Sequence, residues 1–426
     1  MPRSAVETPY SEQRRSYRLG VANGILFAVG AAFIDPVTVL PTFVSRLTSS
    51  EVAIGLVSAI GTSGWFLPQL FAASYLQDRP YKRPLYIFSA FLRGAGSLLM
   101  VPAALALAPG HPVAALVAFF LCYSMYSFGG GLSGVAFLDI VAKTVPGARL
   151  GAFFGNRQFF GSLGAMGCGL VVRAVLGEKG IAFPASYAIL FGLAFCCFAP
   201  GWALFAIVRE PPGRVGQARP FLHFLRGAPE ALARHRAYRL LLLSRVLLGG
   251  ASVALPFYII YCRRVLGVPE SAVGTYLSVQ MAGNLVAIPV WASLNDRRGP
   301  GALVRAVALL SVVIPALALV ASLLPARDGL ARVAFGMLFF VLAAAGAGGF
   351  MGFTNYLLAI APEEQRPLYI GVMNTLFAVT NFFPMLGGAI VRHASFQVLF
   401  TLAAFFALGG LLAALCLPAA DESSQA

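Results

Sequence analysis

The sequence predicts an all-α membrane protein of twelve transmembrane helices, arranged as two pseudo-symmetric six-helix bundles. Three observations predict it. Of 426 residues, 59% are hydrophobic and 11% charged, with a mean hydropathy of +0.80, whereas an ordinary soluble domain is about a quarter charged. Apolar runs long enough to cross a hydrocarbon core of about 30 Å, which takes roughly 20 helical residues, recur along nearly the whole chain. A loop motif, Leu-x-Asp-Arg, occurs after the second run and again after the eighth, with a long basic stretch between the two copies.

The twelve runs cover about 19–45, 51–75, 84–108, 112–142, 150–176, 184–208, 237–265, 270–293, 301–324, 330–360, 367–391 and 395–418. They are continuous, not ten-residue segments alternating polar with apolar, so they read as helices and not barrel strands. Glycine and proline inside them are compatible with helix in a membrane. Small residues let helices approach closely, and neighbours satisfy a backbone opened by proline. The first eighteen residues are polar and basic, without the apolar stretch of a removable signal peptide.

The net charge of +15 is distributed by loop. About 20 of the 31 Arg and Lys residues fall on the side of the N-terminus, about 8 on the other, and 3 within spans. The positive-inside rule therefore puts both termini in the cytoplasm and the chain in the cytoplasmic (inner) membrane as a multi-pass protein. The expected organisation is an N-terminal tail (1–18), a first six-helix bundle (19–208), a cytoplasmic linker (209–236), a second bundle (237–418) and a C-terminal tail (419–426). The basic placement accounts for the charge without nucleic acid; the linker, with Arg209, Arg214, Arg219, Arg226, Arg234 and Arg236, suits anionic lipid headgroups.

Cys122, Cys168, Cys196, Cys197, Cys262 and Cys416 all lie within spans and read as apolar fillers. His111, His223, His235 and His393 are scattered. Neither a metal site, a cofactor nor a nucleophile triad is expected, which argues against an enzyme. The phosphate-cradling pattern Gly-x4-Gly-Lys-Ser/Thr is absent, which argues against primary pumping.

The two loops read SYLQDRPYKRPL, from Ser74, and ASLNDRRGPGAL, from Ala292. Further correspondences fall at nearly the same offset: Leu40-Pro41 with Leu255-Pro256, Gly55 with Gly274, Asp139 with Asn355, Pro146 with Pro362, and Gly155 with Gly371. On these residues the chain resembles the major facilitator superfamily, and its composition looks bacterial. The family's loop signature is Gly-x-Leu-Ala-Asp-Arg-x-Gly-Arg-Lys. Leu76, Asp78, Arg79, Lys82 and Arg83 match it, while Ser74 and Tyr81 stand where it has glycines. In the second copy Leu294, Asp296, Arg297 and Gly299 match. Glu210-Pro211, and Pro146 with Arg149 and Gly151, also look like that family. The resemblance implies two six-helix bundles around a cavity that opens alternately to each side.

An Asp at one helix end can pair with a neighbour's Arg and accept from another helix N-terminus. Asp78, Arg79, Asp296 and Arg297 are therefore expected to form a cytoplasmic gate; for Lys82 and Arg83 a membrane-anchoring role suffices. Charged residues at membrane depth are costly and mark function or a partner. They are Asp35, Arg93, Asp139, Arg157 and Arg245. By the family's helix order Asp35, Arg157 and Arg245 can face the cavity, and Arg93 is expected to pair with Asp139. Asp35 precedes Pro36, which frees an upstream carbonyl. A carboxylate beside loosened backbone, away from water, can exchange a proton, so Asp35 is the expected proton-coupling residue; the alternatives are that it neutralises Arg157 or a cationic substrate, or is a capping or water-bound carboxylate near the outer end of the helix. Its second-half counterpart is Gly250.

Asn156, Arg157 and Gln158 form the densest polar cluster within a span, and with Arg245, Asn284, Tyr126, Tyr258, Asn355 and Asn374 make up the expected substrate cavity. Each of the neutral residues could equally be interhelical glue, and the arginines could be structural. The resemblance implies a monomeric secondary active transporter of a small organic solute, working by alternating access and coupled to protons, with arginines favouring an anionic solute. Proton-driven efflux of amphiphiles is the alternative. A non-coupled receptor or lipid scramblase on the same fold is the alternative from another class.

Overall fold

The computed structural model describes residues 10–76, 79–213, 235–325, 329–362 and 366–418. Asp78 and most of the basic linker lie outside them. Every regular element among the described residues is helical. Eleven helical stretches are long and apolar enough to span a membrane. One of these, Ala272–Leu323, has 52 residues, about 78 Å if it were continuous, far more than a bilayer core requires. It divides at Gly299, whose φ of 76° interrupts the helix. That left-handed backbone suits only glycine, and Pro300 then starts the next helix without needing a donor. The long stretch is therefore two spans, and the total is twelve.

The elements run as α1 (Tyr10–Phe33), α2 (Val39–Leu47), α3 (Glu51–Leu76), α4 (Arg83–Pro102), α5 (Pro112–Thr144), α6 (Leu150–Val175), α7 (Ala185–Ala206), α8 (Arg236–Gly250), α9 (Phe257–Arg264), α10 (Ala272–Leu323), α11 (Gly329–Ile360), α12 (Arg366–Thr380), α13 (Phe383–His393) and α14 (Phe396–Leu415). Three spans are broken in the middle. The first is α1 and α2, parted at Asp35-Pro36, where proline lacks a backbone donor and disfavours helix at the residue before it. The seventh is α8 and α9, joined by a 3-10 turn over Ala251–Ala254 ahead of Pro256. The eleventh is α12 and α13, with Pro384 in the first turn of α13. The break in the first span of each half thus belongs to the repeat.

The first helix starts at Tyr10, about nine residues before the apolar run. Hydropathy misses this turn because it is held by side chains: Tyr17 packs edge-on against Phe153 at 5.6 Å and its hydroxyl accepts from Asn156 Nδ2 at 2.9 Å.

Contacts divide the chain into two compact units. The first comprises residues 1–34, 63–168 and 181–220, the second residues 35–62, 169–180 and 221–426. In the first, α4 packs on α5 and α7, and α1 on α7; in the second, α10 packs on α11 and α14, and α14 on α8. The second unit thus gathers α2, the start of α3 and the end of α6 from the first half of the sequence. Large apolar side chains such as Phe71, Phe91, Val113, Leu323 and Phe405 are exposed, as a lipid-facing surface requires and water does not tolerate.

Candidate functional site

Asp35 is buried at 6% exposure, and both carboxylate oxygens are used. Oδ1 accepts from the Val37 amide at 3.0 Å, the Thr38 amide at 2.8 Å and the Thr38 hydroxyl at 2.8 Å. It thereby serves the free donors at the start of α2, where the helix dipole also favours negative charge. Oδ2 accepts from Gln280 Nε2 of α10 at 3.3 Å. Gln280 Oε1 is buried without a hydrogen bond. The carboxylate therefore caps a half-helix from the first half of the sequence and holds a side chain from the second.

The three intramembrane arginines have different surroundings. Arg93 (α4) donates to Ser133 Oγ at 3.2 Å and to the Tyr126 hydroxyl at 3.5 Å, and the rings of Phe27, Tyr126 and Trp202 each lie 5.0 Å from its guanidinium carbon. The expected Arg93–Asp139 pair is not formed: Asp139 binds Lys143, one turn further along α5. An (i, i+4) partner on the same helix needs no rearrangement, and the aromatic cage with two hydroxyls supplies Arg93 instead. Arg157 (α6) donates to the Gly20 carbonyl of α1 and to Asn23 Oδ1 at 3.1 Å. Gly24 makes room for it, since a β-carbon there would stand 2.6 Å from the guanidinium. Asn23 is fixed in turn by donating to the Gly201 carbonyl at 2.8 Å. Arg157 is thus tied to α1.

Arg245 (α8) has neither an ion pair nor a hydrogen bond among the described residues, and its Nε is buried. Its guanidinium lies over the rings of Phe377 at 4.1 Å and Phe353 at 4.8 Å. It lines a cavity of about 280 Å³ within the second unit, together with Tyr258, Ser252 and Ser311.

The remaining expected cavity residues are dispersed. Asn156 and Gln158 are exposed on α6, Asn156 donating to Tyr17. Asn355 donates to Asn295 Oδ1 at 3.1 Å, fastening α11 to α10. Asn284 and Asn374 are half-buried. Tyr258 packs on Phe400 at 5.4 Å. Among the gate residues, the Arg79 guanidinium lies 3.9 Å from the Tyr75 ring centroid. Asp296 and Arg297 are exposed, Asp296 accepting from the adjacent Asn295 at 3.4 Å.

Several residues outside the expected set carry connections. Glu210 accepts from the backbone amides of Lys82, at 2.9 Å, and Arg83, at 2.8 Å, and pairs with Lys143 Nζ at 2.8 Å. It is the anion at the N-terminus of α4. The Glu210-Pro211 resemblance was the available signal. In the second unit Glu51, at the start of α3, pairs with Arg264, at the end of α9. Beside this pair helices meet backbone to backbone, a β-carbon at Gly388 standing 2.4 Å from the Glu51 carbonyl oxygen and one at Gly55 2.1 Å from that of Pro384, and elsewhere in the second unit one at Gly274 would stand 2.2 Å from that of Gly169. Among the described residues no cluster of His, Cys, Asp and Glu could hold a metal ion.

Residues 240–426 match the profile of the Major Facilitator Superfamily. Over nearly its whole length the chain is similar in structure to a nucleoside transporter, with 14% identity, TM-score 0.70, and coverage of 95% of this chain and 99% of that one. It is similar also to a D-xylose–proton symporter, with 18% identity, TM-score 0.68, and coverage of 96% and 97%. The fold is that of the major facilitator superfamily. A bacterial homologue of the iron transporter ferroportin in an inward-facing state shares it too, with 14% identity, TM-score 0.72, and coverage of 94% and 98%. None of the curated protein sequences matches the chain. At these identities the likeness carries the major facilitator fold and its multi-pass helices. The Leu-x-Asp-Arg motifs and the broken first and seventh spans occupy corresponding places in the two halves of the sequence.

Proposed function

We propose that the protein is a secondary active transporter that moves a small organic solute across the cytoplasmic membrane by alternating access, with protons coupled through Asp35. The observation that carries this reading is the hydrogen bond from Gln280 to Asp35 Oδ2. It joins a carboxylate of the first half to a helix of the second, inside the contact that also holds Glu51 and Arg264.

The chemistry follows from the two oxygens. Oδ1 has three donors and is committed to the cap of α2. Oδ2 has one, and is where a proton can add. Once protonated, Oδ2 becomes a donor facing the Gln280 amide donor, so the amide must turn over or the two segments must part. Proton exchange and the state of this contact are then linked, which is what a coupled transporter needs.

The basic loops support a cytoplasmic position for both termini. On that orientation the Glu51–Arg264 pair, within the second unit, is an outer gate.

The test uses purified protein in liposomes containing a pH-sensitive dye, challenged with sugars, nucleosides and carboxylates in turn. At least one solute should move protons with it, and Asp35→Asn should abolish that movement. Solute movement that ignores a pH gradient and survives Asp35→Asn would refute proton coupling. Failure of every solute to cross would favour an uncoupled receptor or scramblase.

A further inference from the structure

Of the three arginines deep within the spans, Arg93 and Arg157 each donate hydrogen bonds to neighbouring groups, although Arg93 Nε itself is buried without one. Arg93 has two hydroxyl acceptors and a cage of three rings. Arg157 has a carbonyl and an amide oxygen from α1. Arg245 has neither. Its Nε is buried and unpartnered, and among the described residues the groups that meet its charge are the faces of Phe353 and Phe377. Ring faces attract a buried cation but accept none of its N–H hydrogen bonds and carry no opposite charge, so they offset its removal from water only in part. Whatever occupies the space beside Arg245 should therefore be an acceptor.

That space exists. The cavity of about 280 Å³ is walled by apolar groups, among them Leu248, Leu255, Ile314 and Phe350, and it lies near the lower end of the range of small-ligand pockets, about 300–1,000 Å³. No acidic residue lines it. Tyr258 also lines it, and its hydroxyl has no hydrogen-bond partner among the described residues. Ser252 and Ser311 also line it, but their hydroxyls already donate to the Thr380 and Val307 carbonyls, so the site offers one positive charge with a planar fork, one uncommitted hydroxyl donor and an apolar body. A dianion would find too few donors, and a sugar too few polar groups. A planar monoanion suits the fork.

We propose that this cavity binds a small organic monocarboxylate with an aromatic or branched apolar body, its carboxylate on the Arg245 guanidinium and beside the Tyr258 hydroxyl. That the ligand is also the transported solute rests on the transporter reading above; that it binds does not.

The experiment measures thermal stabilisation of the purified full-length protein in detergent at fixed chloride, with benzoate as probe and benzamide as its neutral counterpart, because a ligand of the native state raises apparent stability by mass action. Benzoate should stabilise saturably and benzamide should not. Arg245→Gln should weaken benzoate binding by roughly tenfold or more, the loss of about 1.4 kcal/mol or more of charge-assisted interaction. Gly349→Val adds apolar bulk to the site. A β-carbon at Gly349 stands 3.6 Å from the nearer guanidinium nitrogen of Arg245 and 3.8 Å from Val307, ordinary contact distances, and the added methyls should exclude the probe. Equal stabilisation by benzamide, no stabilisation by benzoate, or stabilisation that survives both substitutions would overturn the proposal. No gradient is present, so these outcomes are independent of whether proton coupling through Asp35 holds.

Discussion

Gln280 donates a hydrogen bond of 3.3 Å to Asp35, a residue 245 positions earlier in the chain. Asp35 simultaneously caps α2, so its replacement has two separable effects. Asp35→Asn keeps an acceptor for the Val37 and Thr38 amides and should cost little stability, since Asn and Asp cap helices about equally well. Uphill accumulation in liposomes should vanish while equilibrium exchange persists. Asp35→Ala removes the cap as well and should lower stability by about 1–3 kcal/mol, read as a reduced thermal midpoint.

Glu51 and Arg264 form an ion pair that is 11% and 37% exposed at its two side chains. Partial solvent screening limits it to about 0.5–1 kcal/mol, roughly a two- to fivefold shift in a conformational equilibrium. Glu51→Arg and Arg264→Glu should each increase cysteine labelling near this contact, and the swapped double variant should restore it. Additive increases in the double variant would show that the pair does not hold the contact.

Gly274 and Gly388 stand where a β-carbon would come within 2.2 Å and 2.4 Å of facing carbonyl oxygens. Backbone cannot yield as a flexible side chain can. Gly274→Val and Gly388→Val should therefore each prevent its own contact from closing and abolish transport while helical circular dichroism is retained. Transport at the native rate in either variant would mean that its contact is dispensable.

Glu210 accepts two backbone amides at the start of α4 and pairs with Lys143. Glu210→Gln retains one acceptor oxygen but loses the other and the charge, and should cost about 1 kcal/mol from the helix dipole and ion pair. Glu210→Ala strands the two amides and should cost about 1–3 kcal/mol. Thermal unfolding of both variants in detergent would rank them.

The intramembrane charges show how far a linear reading reaches. Asp35, Arg157 and Arg245 stand out because charge in an apolar run is expensive wherever the run packs. Which of them is spent on structure depends on neighbours far away in the chain. Arg157 is occupied by Gly20 and Asn23, and Arg93 by an aromatic cage with Ser133 and Tyr126. Asp139, the expected partner of Arg93, is taken by Lys143 within its own helix. Glu51 and Arg264 carry no signal in the sequence, because a charge at a span end looks like an ordinary interfacial anchor.

The sequence by itself determined the spans, the pseudo-repeat and the likeness to the major facilitator fold, because hydropathy, proline and the paired Leu-x-Asp-Arg loops are local and additive along the chain. It also marked the backbone loosened at Asp35-Pro36, since proline acts on its own backbone; that the span parts there into two helices came from the structure. Only the tertiary structure decided that Asp35 meets Gln280, that Glu51 meets Arg264, and that Arg245 alone among the intramembrane arginines lacks a hydrogen-bond partner among the described residues. Those facts depend on which helix faces bury one another, and a residue's partner across a helix interface is set by packing rather than by its position in the chain.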